Sequence, residues 1–223
     1  MLAYKEWYSL FHEGKLDEVQ SQFFKPRAPE ALYNIDEDPH ETKNLAKDKN
    51  HIEILLDLRT KLNDHLISIN DLSFIPEPHL LENGLDDIVS YSEKNKDLIS
   101  RLIKISDLQL NDYEQVSSKI QDALKDINPW VRYWGLIVSS SFGSKALENK
   151  EQINFIFEND PENLVRMRAV EFMLLNNLEI SDSKINSLLK KSNIEAETNL
   201  MLNTLANIKT SNPNFKLNLN KEV

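Results

Sequence analysis

The chain has 223 residues, no cysteine, and a formal net charge of −10 from 36 acidic and 26 basic side chains. The lack of cysteine excludes disulfides and thiolate metal sites. No basic stripe interrupts the acidic excess, which argues against nucleic acid and against unaided binding of a sulfated polysaccharide, since both are polyanions. A hydrophobic fraction of 40% supports a real core, and only 4 glycines shift the expectation towards helix.

Leu2–Phe11 is predicted helical, with Leu2, Trp7, Leu10 and Phe11 available for one face and Gly14 as the left-handed residue that ends it. This start is amphipathic and acid-containing, and lacks the apolar region of a signal peptide. Asp17–Phe24 predicts another helical turn or two, stopped by Pro26 and Pro29. Ala31–Ile35 reads as a short strand. Asp38-Pro39-His40-Glu41 reads as a helix start: Asp38 is the N-cap, Pro39 takes the first helical position, and Glu41 sits three after the cap. Ile52, Leu55, Leu56, Arg59, Leu62 and Leu66 recur at three- and four-residue steps and predict a helix from Lys49 to about Ile69. Asn70–Pro78 breaks the pattern. It separates a first region, residues 1–70, from a linker and connecting helix at 71–110. Within that linker Glu93–Ile105 is predicted helical, with Leu98, Ile99, Leu102 and Ile103 on one side.

Residues 111–223 change character. Asp126-Ile-Asn-Pro-Trp-Val-Arg132 and Asp160-Pro-Glu-Asn-Leu-Val-Arg166 repeat after 34 residues, each Arg six after its Asp. Each unit runs into an apolar helix, and a degenerate third unit falls at Asn193–Ile208 without the Arg. That period belongs to stacked helix pairs. Phe215–Leu219 alternates apolar and polar, which suggests a short terminal strand or an extended packed segment. The longest apolar run, Gly135–Val138, is too short to span a bilayer, so no membrane partner is expected.

The run from Phe23 to Ala46 resembles the C-terminal part of formylglycine-dependent, bacterial-type sulfatases. The matching residues are Leu32, Tyr33, Ile35, Asp38, Pro39, Glu41, Asn44, Leu45 and Ala46, and Asn34 stands where that family more often has Asp. His40-Glu41-Thr42 is most similar to the heparan N-sulfatase-like group. The second half is similar to HEAT-type helical repeats, which some bacterial sulfatases carry after the catalytic fold. The resemblance implies a mainly α chain, in which a remnant of the sulfatase C-terminal α/β subdomain, with one or two short strands, precedes a HEAT-like repeat domain.

It also implies a parent enzyme that hydrolyses sulfate esters or sulfamates on sugars, in the periplasm or outside the cell. This chain lacks the residues for that chemistry. The family's nucleophile lies in a Cys/Ser-x-Pro-x-Arg setting; here the one Ser-x-Pro is Ser211-Asn212-Pro213, followed by Asn214-Phe215 with no Arg in place. Calcium and formylglycine are expected only in a catalytic portion outside this chain, so no catalytic, cofactor or metal residue is carried over. The partner implied is that catalytic domain or another upstream polypeptide. An autonomous protein-interaction module built on the repeats is the alternative.

Four side-chain groups invite a functional reading. Asn34, Asp36, Asp38 and His40 alternate as an oxygen-rich loop would, but the Gly and distal Glu of a calcium loop are missing, and capping by Asp38 and Glu41 is favoured. His40 is the candidate on the substrate side of a parent active site. Asp126, Arg132, Asp160 and Arg166 are better read as an ion-pair ladder between repeats than as a ligand ladder. Trp130, Tyr133 and Trp134 are better read as core than as a sugar platform. Trp7, Tyr8, Phe11, Phe23 and Phe24 are expected to pack against a missing catalytic domain, and to be exposed without it.

Overall fold

The structure, a computed structural model, describes residues 2–212 and 215–219. All regular elements in them are helical, and no strand forms among the described residues. Contacts divide the chain into two compact units, residues 1–62 and 63–223.

The first unit opens with α1 (Leu2–His12), none of whose residues is buried. Gly14 ends this segment at φ +67°, a left-handed conformation that glycine adopts without a Cβ penalty. Helix α2 (Glu18–Ser21) begins at a reciprocal cap: Asp17 accepts from the Gln20 amide, and the Gln20 side chain accepts from the Asp17 amide. A 3-10 turn, Gln22–Phe24, carries the chain to Lys25 and Pro26. A second 3-10 turn, Lys49–His51, is capped by Asp48 and leads into α3 (Ile52–Ser68), within which the two units divide.

Two local expectations fail between these elements. Ala31–Ile35 forms no strand. It has no ladder partner, and Leu32 is instead tied through its carbonyl to the Leu45 amide (2.7 Å) and through its amide to Asn44 Oδ1 (3.0 Å). A solitary strand leaves backbone groups unpaired, and a side chain and a loop amide have met that need here. Nor does a helix start at Asp38. Its carboxylate accepts from Thr42 Oγ1 (3.0 Å) and the Lys43 amide (2.7 Å), closing a turn in which Glu41 takes φ +52°. That left-handed residue stops helical propagation, and the helix waits for the cap at Asp48.

The second unit runs through α4 (Glu77–Asn83), α5 (Ile88–Lys94), α6 (Lys96–Ser106), α7 (Tyr113–Leu124), α8 (Pro129–Phe142), α9 (Lys150–Asn159), α10 (Asn163–Leu175), α11 (Asp182–Leu189) and α12 (Glu195–Ser211). The segment predicted as one helix over Glu93–Ile105 is broken at Asn95, whose side chain donates to the Tyr91 carbonyl (2.9 Å). Helix α8 packs on α6, α7 and α10, and α10 packs on α8, α9, α11 and α12. Asn128 caps α8 by accepting from the Trp130 amide (2.9 Å), with Pro129 at the first helical position. A Cβ at Gly135 would lie 3.1 Å from the Ala123 Cβ, so the close approach of α7 and α8 depends on that glycine.

Ile99, Leu102, Ile120, Leu124, Leu136, Ile153, Phe157, Phe172, Ile185 and Leu188 are fully buried in one continuous core. Each such side chain contributes roughly 1.5–3 kcal/mol of transfer free energy. Ile75, Leu102 and Leu108 belong to the same core, so residues 71–110 pack as part of it. Trp130 and Tyr133 are buried, and the Trp134 Nε1–H donates to the Phe74 carbonyl (2.7 Å). Phe215–Leu219 forms no strand: Phe215 and Leu217 rest on the core, and the Asn218 amide donates to Asp182 Oδ2 (3.1 Å). No described helix is long and apolar enough to cross a membrane.

Candidate functional site

The first unit holds a groove of about 670 Å³. Trp7 of α1 and Val19 of α2 form one wall, and the Gln22–Ala28 segment continues it. Ala31, Tyr33, His40, Glu41, Thr42 and Asn44 form the other. The motif that resembles sulfatases is therefore largely a groove wall.

Its residues divide by task. Asn44 holds the loop: its Oδ1 accepts from the Leu32 amide (3.0 Å) and the Ala46 amide (2.9 Å). Gln22 Nε2 donates to the Thr42 carbonyl (2.7 Å), tying the two walls together. Asp38 lies behind the wall, and the Lys43 amide and then the Thr42 hydroxyl hold its carboxyl below the usual carboxylate range. Pro39 follows it in the turn, and Leu45 is buried beneath. Asn44→Ala removes both acceptor bonds and is expected to cost about 1–2 kcal/mol locally. Hydrogen exchange at the Leu32 and Ala46 amides checks this: acceleration of roughly tenfold is expected, with no change at Leu136 in the other unit.

Lys25, Arg27, Tyr33 and His40 also line the groove, and His40 lies within electrostatic reach of the Asp38 carboxylate. Arg27 sits over the Phe23 ring at 5.8 Å. The other five arginines are all engaged. Arg59 forks onto Glu30, Arg101 binds Asp126, Arg132 binds Asp160, Arg166 donates to the Phe157 carbonyl, and Arg168 binds Glu171 and the Tyr133 hydroxyl.

The aromatic group flanking this groove packs mainly on itself. Trp7 lies 4.9 Å from Phe23 and 4.7 Å from Phe24, and Phe11 lies 4.8 Å from Phe24 between ring centroids. Tyr8 and Phe23 are exposed, and Trp7, Phe11 and Phe24 are half-buried. All five keep surface towards solvent.

In the second unit the repeated Asp and Arg residues form a staircase. Arg132 Nε and Nη2 clasp Asp160 at 2.6 and 2.9 Å, while its Nη1 donates to the Asp126 and Ile127 carbonyls. Asp126 takes Arg101 from α6, a rung that sequence reading missed. Each Asp also accepts the amide two residues on, from Asn128 or Glu162. Arg166 breaks the series by turning to the Phe157 carbonyl (2.6 Å) and ring. Reading also missed Arg168 and the pair Tyr113–Glu148, in which burial and then the carboxylate push the phenol up.

Asn34, Asp36, Asp38 and His40 gather no metal cradle. Asn34 Oδ1 accepts from the Asp36 amide (3.2 Å), Asp38 is occupied as above, and no three metal-ligating side chains converge among the described residues. Of the Ser211-Asn212-Pro213 stretch, Pro213 and Asn214 lie outside the described residues.

No family model matches the chain, and no solved structure matches it. The ulvan-active sulfatase of Formosa agariphila is 40% identical over 70 residues. That match covers 31% of this chain and 12% of the relative, so the chain spans only a small part of that protein's length. The chain carries a sulfatase-related region.

Proposed function

We propose that this chain is the non-catalytic C-terminal portion of a sulfatase, whose first unit docks against an upstream catalytic portion. The observation that carries this reading is the burial pattern of residues 1–62. Among the described residues there, only Ser21, Leu45 and Leu55 are buried, while Leu2, Tyr4, Tyr8, Val19, Phe23, Ile52, Ile54, Leu56, Leu58 and Leu62 are exposed. So much apolar surface on so small a unit marks a face that is covered in the working protein. The whole enzyme would hydrolyse a sulfate ester or sulfamate on a sugar.

Co-expression with the polypeptide encoded directly upstream tests this. A one-to-one complex is expected, with Trp7 fluorescence shifted to the blue and sulfatase turnover confined to the complex. Turnover of an aryl sulfate by this chain alone, or an upstream frame without Cys/Ser-x-Pro-x-Arg, would sink the reading.

A second reading makes the HEAT-like helix pairs a protein-interaction surface. It is favoured by a groove of about 630 Å³ between the Leu72–Leu80 segment and α12, into which Asn199 and Asn203 project one helical turn apart. Selective loss of a partner on Asn199→Ala/Asn203→Ala, with sulfatase assembly unchanged, would separate it from the first.

A further inference from the structure

We propose that the exposed face of α4, α5 and the turn between them is a docking surface for a basic amphipathic helix of another protein. All the residues concerned belong to the second unit, so the sulfatase reading is not involved.

Among the described residues of this unit, nine large apolar side chains are exposed, and four of them, Leu81, Leu85, Ile88 and Val89, fall within nine consecutive positions. The other five, Ile69, Ile127, Phe155, Leu175 and Leu219, are scattered along the chain. Single exposed apolar residues are ordinary, whereas a cluster marks an interaction site. Leu85 is 58% exposed and Val89 69%. The same helices already pack Leu80 and Tyr91 on the core, so the exposed four form a second apolar face rather than slack in the first. Leu81, Leu85 and Ile88 stand four and three residues apart, the spacing of a ridge that takes the apolar stripe of another helix. Among the described residues no strand edge is on offer to an extended peptide, which favours a helix as the occupant.

The rim selects the charge of that helix. Residues 71–93 contain six carboxylates, Asp71, Glu77, Glu82, Asp86, Asp87 and Glu93, and no lysine or arginine. Asp71 and Asp87 cap the elements that follow them, and Glu93 accepts from Asn70. Glu82 and Asp86 are interleaved with the apolar cluster. The acidic field also reaches the start of α10. There Glu162 is half-buried, and burial first, then Asp160, Glu197 and Glu82, hold its carboxyl above the usual range. Arg132, the cation acting on Glu162, is already clasped by Asp160. Crowded carboxylates of this kind are relieved by a lysine or arginine that a partner brings. The same charge argues against a second copy, whose face would carry the same six carboxylates, and against an anionic membrane.

Fluorescence anisotropy on the full chain tests this, with a labelled synthetic peptide that folds into a helix bearing leucine on one face and lysine on the other. Its companions are a scramble without an apolar face, a version with glutamate in place of lysine, and phosphatidylserine vesicles. Saturable binding of the leucine/lysine peptide is expected, weakened roughly tenfold or more by Leu85→Ser/Val89→Ser and again by Glu82→Gln/Asp86→Asn. Phe155→Ser, which removes an exposed apolar side chain of α9, should leave affinity unchanged. Amide resonances that shift on titration should centre on Leu81–Val89. Circular dichroism confirms that each variant keeps its helices. Absence of saturable binding, equal affinity for the scramble or the glutamate peptide, retained affinity in Leu85→Ser/Val89→Ser, or preference for the vesicles would each overturn the proposal. Assembly with the upstream polypeptide is read separately, so any of these failures leaves the sulfatase reading standing.

Discussion

Asp160→Ala is expected to lower the stability of the helical unit by about 3–5 kcal/mol, the usual cost of stranding one member of a buried ion pair. The carboxylate is 3% exposed and the Arg132 guanidinium 12% exposed. Removing Asp160 leaves Arg132 with only the Asp126 and Ile127 carbonyls, and leaves the Glu162 amide without its acceptor. Water cannot readily reach the site to compensate. The melting temperature should fall by roughly 6–20 °C, taking 2–4 °C per kcal/mol for a domain of this size. Arg101→Ala is the internal comparison, because its guanidinium is 51% exposed. Its loss should cost no more than about 1 kcal/mol. The double variant Arg132→Met/Asp160→Leu should recover much of the loss, since two apolar side chains carry no desolvation penalty. Urea unfolding of the four proteins measures this series. An Asp160→Ala variant within 1 kcal/mol of the parent chain would show that the clasp does not hold α8 to the turn before α10.

The staircase was legible in part because its spacing is regular. Asp126 and Arg132 stand to each other as Asp160 and Arg166 do, and that identity is what suggested an ion-pair ladder. The partners were not legible. Arg132 reaches forward to Asp160, 28 residues on, whereas Arg166 turns back to the Phe157 carbonyl of α9. Arg101 lies 31 residues before Arg132 and follows no matching Asp, so nothing in the sequence marked it as a rung. Asp38 shows a different limit. Asp-Pro-x-Glu satisfies the pattern for a helix start, but the same carboxylate closes a turn when Thr42 and Lys43 present donors. Local patterning does not choose between the two, because the side-chain chemistry is the same. The groove was hidden for a related reason. His40 was visible as a motif residue, but nothing in the spacing of Trp7 and Val19 marked them as the wall opposite it.

The contrast between the two units leads to the other large expected effect. Residues 63–223, expressed alone, should unfold cooperatively, whereas residues 1–62 alone should give the far-ultraviolet spectrum of a mostly unfolded chain. The larger piece keeps the continuous core from Ile75 to Ile208. Among its described residues the smaller keeps only Leu45 and Leu55 as buried apolar side chains. Its helices do not stand by themselves either. Helix α1 has 11 residues, and a cut after Leu62 leaves α3 with residues 52–62, while isolated helices shorter than about 12–15 residues are marginal in water. The aromatic group of Trp7, Phe11, Phe23 and Phe24 supplies some local cohesion, but all four remain partly open to solvent. Thermal melts followed by circular dichroism separate the outcomes: one sharp transition for the larger piece, a shallow drift for the smaller. A cooperative transition in residues 1–62 would mean that the unit is self-sufficient, and its apolar surface would then cease to imply a partner. A drift that sharpens into a transition when the upstream polypeptide is added would support the docking proposed for residues 1–62.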